Sequence, residues 1–221
     1  MTKVIILGAA SQISRYLIPD LLTHPEIELT LFARQAEQRL AKYQGQAKLI
    51  AGDWNQVADL VPALTGQEVV FLASSEIVGN KAVVTAMKQA GVSRLIVAGG
   101  LGMNDEVAGE FGRWNARMMG DYTPYKQAAA IILQSGLNYT YLRMTWLYDQ
   151  NGNTNYQVVP LGEPLKGTQI TRQAVATFVT KLILQPNLYQ HDNIGLVEPN
   201  TEWAKPSSIN LINYSQAAAS R

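Results

Sequence analysis

Tyr122 and Lys126 lie four residues apart in the segment Tyr-Thr-Pro-Tyr-Lys. On a helix this spacing puts both side chains on one face, where an ammonium lowers the pKa of a neighbouring phenol. Such a tyrosine can donate a proton to a carbonyl as hydride arrives, while the lysine holds ribose hydroxyls. Because Pro124 is tolerated only in a first helical turn, Tyr122 is predicted at or just before a helix start. Chance spacing among ten tyrosines is the alternative.

Residues 3–15 have the pattern of a strand, a turn of small residues and an amphipathic helix. Gly8 permits a tight turn, and small residues after it let backbone N–H groups approach a phosphate. The helix, predicted to begin near Ser11, adds its positive N-terminal end. Ser11 and Ser14 stand where a glycine-spaced fingerprint has glycine, and a serine hydroxyl can itself bond a phosphate. The pattern indicates a dinucleotide pyrophosphate site, with an ordinary strand-to-helix turn as the alternative.

The second predicted strand, residues 27–33, ends in Arg34, at the distance from the glycine turn where a contact to the adenine ribose is expected. An acidic residue there favours NAD(H), because it bonds both ribose hydroxyls. Arginine offers a planar, permanently charged group that suits a 2′-phosphate. Arg34 therefore predicts NADP(H) in preference to NAD(H), unless it is only a solvated arginine at a strand end.

Two further groups of residues follow predicted strands on the side where open α/β sheets bind ligands. Asp53 and Trp54 follow the third strand, and Asp53 either accepts from the adenine amino group or caps the next helix. Ala73 and Ser74 close the fourth strand and would line the crevice near the middle of the cofactor. A plain strand-to-helix turn suits these small residues equally well.

Strand-like apolar runs alternate with helical patterns, which predicts βαβ units in an α/β, Rossmann-type, doubly wound and mainly parallel sheet. The first, fourth and fifth runs are apolar on both faces, as expected for strands covered by helices on each side. The predicted strands are residues 4–7, 27–33, 47–51, 68–73, 94–98, 139–143 and 193–197, and the clearest helix is 171–184. The polar tail from Lys205 to Arg221 is expected to be loosely held.

Composition removes several classes of function. A net charge of +1 indicates neither a nucleic-acid partner nor an anionic membrane surface. The chain has no cysteine and only two histidines, so no metal site is predicted. No apolar run is long enough for a membrane span, and no secretory signal precedes the first strand, so the default expectation is a cytoplasmic protein.

Several motifs together resemble the atypical short-chain dehydrogenase/reductase families, in particular the NmrA-like NAD(P)H-binding group. The Tyr122–Lys126 pair is followed by residues 134–144, Gln-Ser-Gly-Leu-Asn-Tyr-Thr-Tyr-Leu-Arg-Met, which are similar to the family's SGL-x-YT-x-LRP stretch. Residues 167–176 resemble its I-[ST]-R-x-D-V-A segment. With the N-terminal turn, the resemblance spans residues 3–197.

The resemblance implies one NAD(P)-binding domain over residues 1–221, in which 145–170 and 185–221 form a small substrate-side and C-terminal extension. It implies that Arg34 contacts the 2′-phosphate, Asp53 the adenine, and Ser74 and Lys126 the ribose on the nicotinamide side. The pyrophosphate contacts it implies are Gly8, Ala10, Ser11, Gln12 and Ile13. Relatives in this group are reductases or cofactor-sensing regulators without turnover.

The chain departs from that pattern at three positions. Active short-chain reductases carry a carbonyl-polarising serine after the fifth strand, whereas residues 97–100 read Val-Ala-Gly-Gly. Met144 replaces a proline, and Ala174 replaces an acidic residue. Loss of the serine weakens carbonyl reduction most, because its hydrogen bond would strengthen as the oxyanion develops.

Residues 101–121 and 145–167 are expected to flank a small-molecule substrate. They carry an aromatic and thioether wall suited to a flat or hydrophobic ligand, unless those side chains cover the sheet edge or form a dimer contact. The wall consists of Phe111, Trp114, Met118, Met119, Trp146, Leu147 and Tyr148.

The leading hypothesis is an NADP(H)-dependent oxidoreductase, monomeric or homodimeric, that reduces a small carbonyl or quinone-like acceptor. The alternatives are a non-catalytic NADPH sensor and, third, a nucleotide-sugar epimerase or dehydratase.

Overall fold

Strands and helices alternate along residues 1–207, which are the residues that the computed structural model describes. The strands are β1 (Thr2–Leu7), β2 (Ile27–Ala33), β3 (Lys48–Ala51), β4 (Val69–Leu72), β5 (Arg94–Gly99), β6 (Asn138–Met144), β7 (Trp146–Tyr148), β8 (Gln157–Val159), β9 (Gln169–Thr171) and β10 (Asp192–Val197). The helices are α1 (Ser14–Leu21), α2 (Ala36–Arg39), α3 (Val57–Leu64), α4 (Ile77–Ala90), α5 (Gly109–Met119), α6 (Thr123–Leu133) and α7 (Arg172–Leu184). A 3₁₀ turn, Ala41–Tyr43, follows α2.

The central sheet has the order β3-β2-β1-β4-β5-β6-β10-β8. Every neighbouring pair is parallel except β10 and β8, which are antiparallel. β7 and β9 form a separate parallel pair. The direction of the strand order reverses between β1 and β4, so the fold opens a crevice at the carboxyl ends of those strands. The predicted doubly wound, Rossmann-type α/β fold is confirmed.

Helices cover both faces of this sheet. On one face α1 and α7 pack together, and Leu17 and Phe178 are fully buried in that layer. On the other face α3, α4 and α6 cover a second layer that contains Met87 and Ile132. The strands β1, β4 and β5 lie between the two layers, which explains why their sequences are apolar on both faces.

The seven predicted strands correspond to β1 through β6 and β10, with ends that differ by two residues or fewer. The prediction that α1 begins near Ser11 is wrong, because the helix begins at Ser14. Residues 8–13 form a turn in which the Ser11 N–H donates to the Gly8 carbonyl at 2.9 Å. The strands β7, β8 and β9 were not predicted, since three residues carry no readable periodicity.

Two sequence-based expectations concern features outside this core. Most of the tail expected to be loosely held, residues 208–221, lies outside the described residues. Within residues 1–207, no helix is both long enough and apolar enough to cross a membrane.

Candidate functional site

A cavity of about 220 Å³ opens where β1, β2 and β3 end. Each strand contributes the residues that follow it: the Gly8 turn follows β1, Arg34 follows β2 and Asp53 follows β3. The lining residues are Gly8, Ala10, Ser11, Phe32, Ala33, Arg34, Arg39, Gly52, Asp53 and Trp54. The fold therefore gathers the greater part of the predicted cofactor-binding residues at one edge of the sheet.

Gly8 is the point at which the β1–α1 turn meets the neighbouring loops. Its φ is +84°, a region that favours glycine. A Cβ on this residue would lie 3.1 Å from Trp54 Cζ3 and 3.3 Å from Ala73 Cβ. The Cα of Gly8 is thus packed against residues that follow β3 and β4, while the turn itself, a cradle of backbone and small residues, lines the cavity. This cradle fits the close approach that a pyrophosphate requires.

The two serines of the turn have different surroundings. Ser14 is fully buried, and its hydroxyl donates to the Gly8 carbonyl at 3.0 Å. The Ser11 hydroxyl donates to Ser14 Oγ at 2.9 Å and lines the cavity. Ser14 therefore closes the turn from within, whereas Ser11 faces the space that a phosphate would occupy.

Gln12 and Ile13, which were also predicted to contact the pyrophosphate, do not line this cavity. Gln12 lines a neighbouring groove of about 440 Å³, which shares Ser11 and Arg39 with the cavity. Ile13 is buried in the core at the residue that precedes α1, so only its backbone is available to a ligand at the turn.

Two guanidinium groups, from Arg34 and Arg39, reach the cavity. Gln35 between them has φ +54°, which turns the chain sharply into the four-residue helix α2. Both arginines are exposed, and neither forms an ion pair within residues 1–207. The sequence analysis missed Arg39, because a four-residue helix carries no periodic signal. The only available signal was a second cation shortly after Arg34.

Asp53 lines the cavity and also organises the loop after β3. Its Oδ1 accepts from the Asn55 N–H at 3.0 Å, and its own N–H donates to Asp59 Oδ2 at 2.9 Å. The alternative that Asp53 caps the next helix is wrong, because α3 begins at Val57 with Gln56 as its N-cap. The carboxylate forms an Asx turn instead.

Tyr122 and Lys126 lie at the start of α6, and the Lys126 N–H donates to the Tyr122 carbonyl at 2.9 Å. Pro124 falls in the first turn, as predicted. The prediction that Lys126 lowers the pKa of Tyr122 is wrong, because that pKa is raised, and Lys126 Nζ pairs with Asp105 Oδ1 at 3.1 Å. Burial, followed by the charge of Glu106, raises the pKa of Tyr122, and a hydrogen bond from Asn115 opposes the shift. The phenol is therefore a more firmly protonated acid than the pattern predicted.

Tyr141 fills the space beside Gly99, the last residue of β5, where a serine side chain would otherwise lie. A Cβ on Gly99 would collide with the Tyr141 ring, which enters from the adjacent strand β6. The Tyr141 hydroxyl lies 3.5 Å from Ser75 Oγ and accepts from the Gly100 N–H at 3.4 Å. Burial raises the pKa of Tyr141. Ser74, beside Ser75 at the end of β4, is partly exposed at the same edge.

Part of the aromatic wall is a small core rather than an open surface. The centroids of Trp114 and Trp146 lie 4.8 Å apart, and those of Phe111 and Trp114 lie 6.1 Å apart. All three rings pack with Leu101 and Val159, so they cover the edge of the sheet. Of the three alternatives for the wall, cover for the sheet edge is the one that the contacts of these rings favour.

The other members of the wall have separate environments. Met118 is exposed, Met119 is partly exposed, and Leu147 packs against the main core. The Tyr148 hydroxyl donates to Glu198 Oε2 at 2.6 Å. Burial and this carboxylate raise the pKa of Tyr148 to about 12.

The fold and the cavity at the ends of β1, β2 and β3 define a nucleotide-binding protein of the Rossmann class. Comparison with known families identifies the family within that class. A model of the NAD(P)H-binding family matches residues 8–186. The chain belongs to this family and is of the atypical short-chain dehydrogenase/reductase type. An NAD(P)H-dependent oxidoreductase is the class of protein that the family and its relatives support. No curated protein matches the chain.

Solved structures from bacteria are similar over nearly the whole chain. A Rossmann-fold NAD(P)-binding family protein from Shigella flexneri is 35% identical, with a TM-score of 0.79 over 93% of this chain and 98% of that chain. A short-chain dehydrogenase/reductase from Veillonella parvula in complex with NADP is 29% identical, with a TM-score of 0.86 over 93% and 99%. An anaerobillin reductase from Escherichia coli O157:H7, 19% identical, shares the fold with a TM-score of 0.75 over 93% of this chain and all of its own.

Proposed function

We propose that this protein is an NADP(H)-dependent oxidoreductase that transfers hydride to a small carbonyl or quinone-like acceptor. The observation that carries the proposal is the cavity lined by both the Gly8 turn and the exposed Arg34 and Arg39, neither of which forms an ion pair with any of residues 1–207. Guanidinium groups bind phosphate oxygens in paired, charge-assisted hydrogen bonds. A 2′-phosphate on the adenine ribose gives both arginines a partner, whereas the hydroxyl of NAD(H) leaves two cations without one.

The remaining cofactor contacts divide between the strand ends. The Gly8 turn, with Ala10, Ser11 and the backbone near Gln12 and Ile13, holds the pyrophosphate. Asp53 and Trp54 border the adenine. Ala73 and Ser74 border the middle of the cofactor. When the cofactor binds, Lys126 leaves Asp105 and donates to the hydroxyls of the ribose on the nicotinamide side.

Tyr122 serves as the proton donor to the acceptor oxygen. A raised pKa keeps its phenol protonated at neutral pH, so the hydroxyl is ready to donate as negative charge develops on that oxygen. Residues 145–170 and 185–207 lie on the substrate side and belong to the proposed extension. The exposed thioether of Met118 suits a flat or hydrophobic acceptor.

Titration with NADPH and NADH, followed by cofactor fluorescence, tests the cofactor assignment. Arg34→Ala and Arg39→Ala each remove one charge-assisted hydrogen bond to phosphate, a loss of about 1.5–3 kcal/mol. We expect the Kd for NADPH to rise about tenfold or more in each variant, and the Kd for NADH to change little. Lys88→Ala, which removes an exposed cation from α4, is the matched control. Equal losses for both nucleotides would contradict the 2′-phosphate assignment.

A second candidate function is a non-catalytic sensor of NADPH, of the NmrA-like type. The observations that favour it are the absence of a serine at the end of β5 and the pairing of Lys126 with Asp105. NADPH oxidation with a panel of quinones, flavins and aldehydes separates the two functions. Acceptor-dependent oxidation that is lost in Tyr122→Phe supports the enzyme, whereas tight NADPH binding without oxidation supports the sensor.

A further inference from the structure

Asn115 connects the proposed proton donor to one ring of the aromatic wall. It lies in α5, is 1% exposed, and makes two side-chain hydrogen bonds. Its Nδ2 donates to the Tyr122 hydroxyl, and its Oδ1 accepts from Trp146 Nε1 at 2.7 Å. Three elements therefore meet at one buried amide, because Tyr122 precedes α6 and Trp146 begins β7.

The chemistry of the indole fixes the direction of both hydrogen bonds. An indole N–H can only donate, so the atom of Asn115 that faces Trp146 has to be the carbonyl oxygen. The amide nitrogen then faces Tyr122, and the phenolic oxygen has to accept from it. Within residues 1–207 the Tyr122 hydroxyl has no acceptor for its own proton. The arrangement therefore leaves that proton available to a ligand.

We propose that Asn115 and Trp146 are positioning residues that hold Tyr122 as a proton donor towards the acceptor oxygen. This inference rests on the proposed function. Reduction of a carbonyl adds one hydride to carbon, supplied by the reduced nicotinamide when it is bound, and moves the π electron pair to oxygen. That oxygen takes the phenolic proton of Tyr122, and the phenolate regains a proton from water.

The positioning pair contacts Tyr122 directly, whereas the sequence pattern predicted Lys126 as the electrostatic partner that lowers the Tyr122 pKa. The ammonium of Lys126 pairs with the exposed Asp105, so it does not orient the phenol. Asn115 instead fills one lone pair of the phenolic oxygen with a donor, which both orients the hydroxyl and stabilises the phenolate left after proton transfer. Because the amide is buried, water does not compete for these hydrogen bonds.

Asn115→Asp tests this role with little change in shape. Once ionised, the introduced carboxylate accepts from both Trp146 and Tyr122, and thereby captures the proton that should go to the ligand. Because the site is buried, we expect this ionisation at a pH above the ordinary aspartate pKa. We expect kcat to fall about 10- to 100-fold relative to wild type at the same pH as the pH rises towards 9, with the KM for NADPH unchanged. As pH falls, the protonated carboxyl donates to Tyr122 and restores the original pattern, so kcat should recover towards the wild-type value. The exposed substitution Gln89→Glu in α4, which makes the same change from amide to carboxyl, is the control and should show neither effect.

A kcat of Asn115→Asp within twofold of wild type at pH 9, or a loss that is equal at every pH, would overturn the positioning role. The orientation has a separate readout that needs no turnover, namely the NMR signals of the four tryptophan indole N–H groups. The Trp146 signal is identified by its loss in Trp146→Phe. We expect it to move upfield in Asn115→Leu, because the acceptor is gone, and an unmoved signal overturns the arrangement. If the wild-type protein failed to oxidise NADPH with every quinone, flavin and aldehyde of the panel, the proposed function itself would be overturned.

Discussion

Gly8 is subject to two separate physical constraints at a single residue. Its backbone adopts φ +84°, and the space where a Cβ would project is already occupied by Trp54 and Ala73. The first constraint belongs to the turn, and the second belongs to the contact between three strand ends. Gly45 shares only the first, since its φ is +80° and no atom lies within 4 Å of a Cβ built there.

The substitution Gly8→Ala should therefore cost more stability than Gly45→Ala. A left-handed backbone costs a non-glycine residue about 1–2 kcal/mol, which is the expected loss in the free energy of unfolding for Gly45→Ala. Gly8→Ala adds the displacement of Trp54 and should also weaken NADPH binding. Urea denaturation and cofactor titration of the two variants measure both effects. Equal losses of stability together with unchanged affinity would show that the contact with Trp54 has no role.

At the scale of elements, a buried ion pair fixes the loop between β5 and α5. Arg143 in β6 is 0% exposed, and its guanidinium lies 3.3 Å from Glu106 Oε1. The Glu106 carboxylate also accepts from the Gly102 N–H at 3.0 Å and the Asn104 N–H at 2.8 Å. Gly102 packs against the Tyr122 ring, so the same carboxylate supports the surroundings of the proposed proton donor.

Glu106→Gln should destabilise the fold strongly. It leaves the Arg143 guanidinium buried without its counter-charge, and removal of one partner of such a pair typically costs about 3–5 kcal/mol. The free energy of unfolding, measured in urea, checks this. The exposed Glu110→Gln in the first turn of α5 is the matched control and should stay within about 0.5 kcal/mol of wild type. A small loss for Glu106→Gln would mean that the ion pair adds little beyond the loop hydrogen bonds.

At the scale of the whole molecule, the cavity proposed to bind the cofactor joins residues that are distant in sequence. β1, β2 and β3 bring the Gly8 turn, Arg34 and Asp53 to one cavity, and β4 adds Ala73 beside it. A ligand that contacts all four strand ends binds only the folded chain, so its binding free energy adds to the stability of the fold.

NADPH should accordingly raise the melting temperature of the protein. At about 100 times its Kd, a ligand adds about 2.7 kcal/mol. For a chain of this size the corresponding rise is about 5–10 °C. NADH at the same concentration should give a smaller rise, and Arg34→Ala should bring the NADPH rise close to it. Identical shifts for the two nucleotides in the wild-type protein would contradict the preference for NADP(H).

The sequence by itself determined the fold class and most of the residues that line the cavity where β1, β2 and β3 end. Apolar runs such as that of β1 follow from burial on both faces, and the requirements of the Gly8 turn and the Pro124 helix start are local. These features depend on neighbouring residues only, so their patterns survive in the linear chain. Asp53, Arg34 and Ser11 line the same cavity because their positions relative to the strand ends are set by the same local rules.

Only the tertiary structure decided which groups meet. Arg39 reaches the cavity, and Tyr141 and Asn115 reach their partners, through the packing of different elements, and no spacing along the chain encodes such contacts. The direction of the Tyr122 pKa shift was mispredicted for the same reason. Lys126, one helical turn along the chain, pairs with Asp105. Burial and the charge of Glu106 instead raise the pKa of Tyr122. Electrostatic environment depends on distance and burial in three dimensions, so only the folded chain defines it.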